Sequence, residues 1–272
     1  MRSSSAVVLC FLLVLPWCGS TILAAGETVS YQVGGETVRA YLTHPPNSFG
    51  MPGIVLIHEM WGLNEQIMGV ADSLSRLGYV VIAPDLFRGK LGADPGLAQD
   101  MMRALNEDRA VAIVTGAIAF LRHLDRASGR PIATVGFGMG GRISLAMALR
   151  GADVQSTVIF YGGVETAREA LAPIKAPLLG IFGGNDRTVP VGDVKKFEAA
   201  LKETGKDATI IIHEGAGHDF FNDARPDYEP EMSKGAWVQM RDWLAVKLPQ
   251  ALPTGRALGR PPTTPAVPAP TP

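Results

Sequence analysis

The sequence predicts an α/β fold built on a mostly parallel, doubly wound sheet with helices on both faces. Short, continuous apolar runs alternate with stretches of helical periodicity along the chain, the pattern left by strand–helix–strand units. Continuous rather than alternating apolar runs indicate strands covered on both faces. A chain of 272 residues that is 47% apolar is long enough to bury one substantial core in one domain, expected over residues 26–248.

The first segment stands apart. Arg2 precedes an apolar run at residues 6–16, and small residues follow, with Ala24, Ala25 and Gly26 at the end. This is the layout of a secretory signal peptide, residues 1–25, removed near Ala25. The alternative is an uncleaved membrane anchor, since residues 6–25 just span a bilayer if retained. The expected product is exported, periplasmic or secreted, with no stable membrane insertion after cleavage. Cys10 and Cys18 are the only cysteines, and both lie in that segment. The mature chain would then have no disulfide, cysteine metal site or cysteine nucleophile.

Residues 27–45 alternate apolar and polar around Gly34 and Gly35, a hairpin signal. Residues 53–58 read as a buried strand, 64–77 as a helix and 79–84 as a second buried strand. Helical stretches at 96–105 and 108–124 precede a short strand at 132–136 and a helix at 142–150. Strands follow at 154–161, 176–182 and 208–213, separated by helices at 166–171 and 191–204. An amphipathic helix at 232–248 closes the domain. Residues 249–272 are rich in Pro, Ala, Thr and Gly, too poor in large apolar side chains to order themselves, and read as a disordered tail.

The formal net charge is −1 and the basic residues are scattered. That leaves no electrostatic footprint for nucleic acid or an anionic membrane, so a small-molecule partner is expected. No cofactor or metal is expected either. A metal reading through His58, Glu59 and His218 lacks a tight ligand spacing.

Thr134-Val135-Gly136-Phe137-Gly138-Met139-Gly140-Gly141 has the strand–turn–helix frame of a nucleophile elbow, in which small residues flank a Ser or Cys on a sharp turn. Here Gly138 fills the nucleophile's position. Glycine adopts the strained turn without penalty and brings no attacking atom. Further on, Asp186 follows the run at 176–182 and His218 follows the strand at 208–213. The order elbow, acid, histidine matches a hydrolase triad, in which the carboxylate orients the imidazole that acts as base. Ser144 is the nearest hydroxyl to the elbow, six residues into the next helix, and too far along it to substitute.

The sequence resembles the dienelactone hydrolase family over residues 28–248. The matching stretches are Ile57-His58-Glu59-Met60-Trp61-Gly62-Leu63-Asn64, Ala83-Pro84-Asp85-Leu86-Phe87-Arg88-Gly89, the elbow, Gly183-Gly184-Asn185-Asp186 and Gly215-Ala216-Gly217-His218-Asp219-Phe220-Phe221-Asn222. The resemblance implies an α/β-hydrolase fold and activity on esters or lactones. It implies a cysteine–aspartate–histidine triad at Gly138, Asp186 and His218, with Glu59 beside the nucleophile. The Met60 and Met139 amides would form the oxyanion hole. Asn222 stands where the best-known members carry a substrate-binding arginine, and Arg88 is the remaining candidate for that cation. Trp61, Phe87, Tyr161 and Phe221 are the candidate pocket lining. The expectation is a weak hydrolase using a water activated by His218 and Asp186; the alternative is a non-catalytic binder keeping the same pocket.

Overall fold

The structure, a computed structural model, describes residues 26–46 and 48–249. The signal peptide expected at 1–25 and all but the first residue of the tail expected at 249–272 lie outside the described residues. The hairpin strands β1 (Glu27–Val33) and β2 (Glu36–Thr43) are followed by β3 (Gly53–Ile57), α1 (Glu65–Arg76) and β4 (Val80–Pro84). Helices α2 (Pro95–Ala104) and α3 (Glu107–His123) lead to β5 (Ile132–Phe137), α4 (Met139–Leu149) and β6 (Ser156–Phe160). The chain continues through α5 (Arg168–Leu171), β7 (Leu178–Gly183), α6 (Val191–Glu203), β8 (Ala208–His213) and α7 (Pro230–Lys247).

The strands form one eight-stranded sheet in the order β1-β2-β4-β3-β5-β6-β7-β8. The pairings β1–β2 and β2–β4 are antiparallel, and the others are parallel. Each expected element is present, with ends displaced by a few residues. The main displacement is at α4, which starts at Met139 rather than at 142 because Gly140 and Gly141 belong to its first turn.

Successive residues of the central strands go to opposite faces, as strand geometry requires. Ile54 and Leu56 of β3 pack with Ile67, Ala71 and Leu74 of α1 and with Met240 and Leu244 of α7. Val55 and Ile57 face Ile113, Ala117 and Leu121 of α3 and Met147 of α4. Farther along the sheet, Ile159 and Phe182 pack against Val194, Phe197 and Leu201 of α6. With both faces covered, the open ground for a ligand is the carboxyl edge of the parallel strands.

Candidate active site

The loops at that edge bring together four segments far apart in sequence. Pairing of Ile57 with Gly136, Phe137 with Phe160 and Gly183 with His213 brings the strand ends level. Glu59 and Met60 leave β3, Gly138 leaves β5, Asp186 leaves β7 and His218 follows β8.

Gly138 has φ 51 and ψ −114, and caps α4 without a side chain. Its N–H donates to the Phe160 carbonyl at 2.9 Å, and its own carbonyl accepts from the Arg142 amide at 3.1 Å. The flanking glycines are required by space: a Cβ at Gly136 would overlap the Gly140 carbonyl, and one at Gly140 would overlap the carbonyl of Ile57. Gly138 differs. A Cβ there would lie 3.8 Å from His218 Nε2, 3.8 Å from Tyr161 Cε2 and 3.9 Å from Glu59 Cγ, all ordinary contacts. Room for a side chain exists, and only the positive φ favours glycine.

His218 is bonded through Nδ1 to Asp186 Oδ2 at 2.7 Å. Asp186, its side chain fully buried, is held by Thr188 and Val189 amides donating to Oδ1 at 2.7 and 2.9 Å. A carboxylate fixed by backbone donors sets the imidazole's orientation and leaves Nε2 as the working nitrogen. Burial opposes protonation of His218, but the hydrogen bond and charge of Asp186, with Asp219 and Glu59, outweigh it and raise the pKa above 6.5.

Glu59 is 3% exposed. The Tyr161 hydroxyl donates to its Oε1 at 2.7 Å, and Asn222 Nδ2 donates to Oε2 at 2.6 Å. Burial, then the nearby Asp219 charge, push its pKa up to about 7, against the pull of Tyr161, Asn222 and His218. Tyr161 reaches Glu59 from a backbone with φ 37, unfavourable for a residue with a Cβ. Its ring also stands edge-on to His218, centroids 5.3 Å apart.

The Met60 and Met139 amides have no acceptor among the described residues. Met139 is the first residue of α4, where helix amides lack an intrahelical acceptor and the helix dipole favours developing negative charge. Beside them is a cavity of about 330 Å³ lined by Gly138, Met139, Tyr161, His218, Met102, Leu105, Glu107, Arg142, Ile143, Gly163, Thr188 and Val189. Its contacts are mainly apolar, and its charged rim is the Arg142–Glu107 pair at 3.3 Å.

The sequence-derived pocket needs correction. Tyr161 lines this cavity; Trp61, Phe87, Arg88 and Phe221 do not. Arg88 pairs with Glu36 at 2.8 Å on the hairpin. Phe87 lies against the His58 ring, and Trp61 sits under the Arg225 guanidinium at 3.7 Å. Phe221 stacks on Phe137 and lines a separate depression of about 450 Å³ with Glu65 and Trp237. These aromatics are as apolar as a pocket lining would be, and sequence does not separate the two uses.

Ser144 is bonded to Thr134 at 2.9 Å, inside the core. His58 donates through Nδ1 to the Glu59 carbonyl at 2.6 Å and accepts the Leu86 amide on Nε2 at 3.1 Å. Burial lowers its pKa, so it is a neutral imidazole with both nitrogens occupied, and the His58-based metal set does not assemble. Sequence reasoning missed Asp219, whose Oδ1 is 3.7 Å from His218 Nε2, although it is the next residue along the chain. In the sequence Asn222 shows only the charge it lacks, whereas its bond to Glu59 joins positions 163 apart.

Comparison with known proteins agrees with this architecture. The model of the dienelactone hydrolase family matches residues 38–248. A Methylorubrum extorquens protein named "Putative carboxymethylenebutenolidase" is 28% identical over 235 residues, 81% of this chain and 80% of its own. Protein usf of Aquifex pyrophilus is 30% identical over 220 residues, 78% of this chain and 94% of its own. Among solved structures, a dienelactone hydrolase-like promiscuous phosphotriesterase, P91, from metagenomic libraries superposes with a TM-score of 0.74 at 22% identity, covering 82% of this chain and 98% of its own.

Proposed function

The chain belongs to the dienelactone hydrolase family, and on that footing we propose that it hydrolyses small-molecule ester or lactone bonds with a water molecule in place of a side-chain nucleophile. The observation that carries this reading is the aim of the base. His218, oriented by Asp186, directs Nε2 to within 3.8 Å of the Cβ position at Gly138, where a nucleophile's side chain would begin.

In this mechanism His218 Nε2 takes a proton from the water as its oxygen bonds to the acyl carbon. The oxyanion is met by the Met60 and Met139 amides, which are main-chain groups and independent of the residue at 138. The tetrahedral intermediate collapses as the imidazolium gives its proton to the leaving alkoxide, releasing acid and alcohol. Glu59 is held on both oxygens and, once ionised above its pKa of about 7, favours the imidazolium by its charge. In a serine protease, catalysis surviving loss of the triad is roughly 10³ to 10⁴ over water, so a slow enzyme is the expected result.

We further propose that the chain is exported, with residues 1–25 removed, on the pattern of its N-terminal sequence. Turnover of a panel of aryl esters and lactones by the purified mature protein tests the catalytic reading. Hydrolysis should fall about a hundredfold or more in His218→Ala. Binding of panel members without turnover in the wild type would identify a pocket kept for binding alone.

A further inference from the structure

Every other buried or half-buried carboxylate near this edge of the sheet has protein donors. Asp186 accepts the Thr188 and Val189 amides and His218; Glu59 accepts Tyr161 and Asn222; Asp85 accepts the Phe87 and Gly89 amides. The Asp219 side chain is 17% exposed, and its carboxylate accepts no hydrogen bond from a described residue. Desolvating a carboxylate without a donor is costly. His218 Nε2 lies 3.7 Å from Asp219 Oδ1. That is too long for a direct hydrogen bond and a distance at which one water can touch both groups.

We infer that Asp219 is a second acceptor for the attacking water, working beside His218 to hold the molecule that no side chain at position 138 supplies. The inference rests on the water-attack reading above. Nε2 lies 3.7 Å from Asp219 Oδ1 and 3.8 Å from the Cβ position at Gly138, so the base has both within reach of one bridging water. A water there donates one hydrogen to Nε2 and the other to Oδ1, leaving a lone pair for the acyl carbon. The proton on the Nε2 side passes to the imidazole as the bond from water oxygen to acyl carbon forms, and is given to the leaving alkoxide as the ester's own carbon–oxygen bond breaks. Asp219 keeps its charge throughout. Holding a water by both hydrogens restricts its orientation, which is the entropic part of catalysis that a covalently attached nucleophile would otherwise provide.

The charges facing Asp219 are His218, Asp227, Arg225 and Asp186, with Glu59 and Tyr161 also within its field. Burial raises the Asp219 pKa above the ordinary 3.8, with Asp227 and Asp186 adding to it, against the pull of His218 and of Arg225, which stacks on Trp61. Asp219 in turn is one of the groups raising the His218 pKa.

The test is Asp219→Asn, with Asp219→Ser as a second variant, in the mature protein acting on an uncharged aryl ester. The expected loss in kcat is on the order of 10- to 100-fold, the worth of one charge-assisted hydrogen bond, with little change in KM. The acid limb of kcat/KM should move to lower pH, because His218 loses an anion that favours its protonation. A raised KM with an unmoved pH profile would mean a structural role and overturn the inference, as would wild-type kcat in both folded variants. No turnover by the wild type would instead sink the water-attack reading, and this inference with it.

Discussion

Asn222 donates its side-chain amide to Glu59 at 2.6 Å, joining two loops 163 residues apart beneath the elbow. With Tyr161 on the other oxygen at 2.7 Å, the carboxylate is immobile. Asn222 therefore positions the acid and is not a substrate-facing group.

The first prediction follows from that buried carboxylate. Its pKa is about 7 in the folded chain against an ordinary 4.5. Below 4.5 it is protonated in both states; between 4.5 and 7 the folded chain keeps a proton that the unfolded chain has lost. Stability therefore falls as pH rises through this window, by up to about 3 kcal/mol. Thermal denaturation at a series of pH values should show a flatter dependence in Glu59→Gln than in the wild type. Equal slopes would show that Glu59 does not titrate there.

The second concerns the elbow. Gly138→Cys should fold, since its Cβ meets nothing closer than 3.8 Å, with a strain cost of about 1 to 3 kcal/mol from the positive φ. Its thiol, beside His218, should form an acyl-enzyme with activated esters, visible as an alkylation-sensitive burst. Gly140→Ala, which would overlap backbone, should unfold or fail to express. An unreactive thiol in a folded Gly138→Cys protein would remove Gly138 from the nucleophile position.

Substrate charge is the third. The cavity's cation, Arg142, faces Glu107 at 3.3 Å, so esters with an uncharged acyl group should have higher kcat/KM than carboxylated analogues. Glu107→Gln should narrow the difference by about two- to fivefold, the range of an exposed ion pair. A preference for carboxylated esters in the wild type would contradict it.

Export is the fourth. Intact-mass measurement on protein recovered from its host should place the N-terminus near Gly26 or Glu27. Iodoacetamide should then leave ester hydrolysis unchanged, because Cys10 and Cys18 are the chain's only thiols. A retained Met1, or a lipid on Cys18, would refute cleavage as proposed.

Local patterning carried much of this protein into view. Continuous apolar runs such as 53–58 and 132–136 mark strands buried on both faces, because burial on two sides leaves no polar alternation. Chain order separated Gly138, Asp186 and His218 as a set, since each follows a strand, and parallel strands end at one edge. The strand–turn–helix frame around Gly138 was legible from its neighbours alone, and β5 and α4 meet there. Tertiary structure decided what depends on direction and distance. Phe87 and Tyr161 are both aromatics following strands, yet one packs on His58 and the other reaches Glu59; hydrophobicity constrains burial but not which side of a wall a ring occupies. Arg88 pairs with Glu36, because an ion pair is settled by proximity, here between the loop after β4 and the start of β2. The partnership of Asn222 with Glu59 arises only when loops from different strands converge, for hydrogen bonds are short-ranged and sequence holds no record of the separation between distant loops.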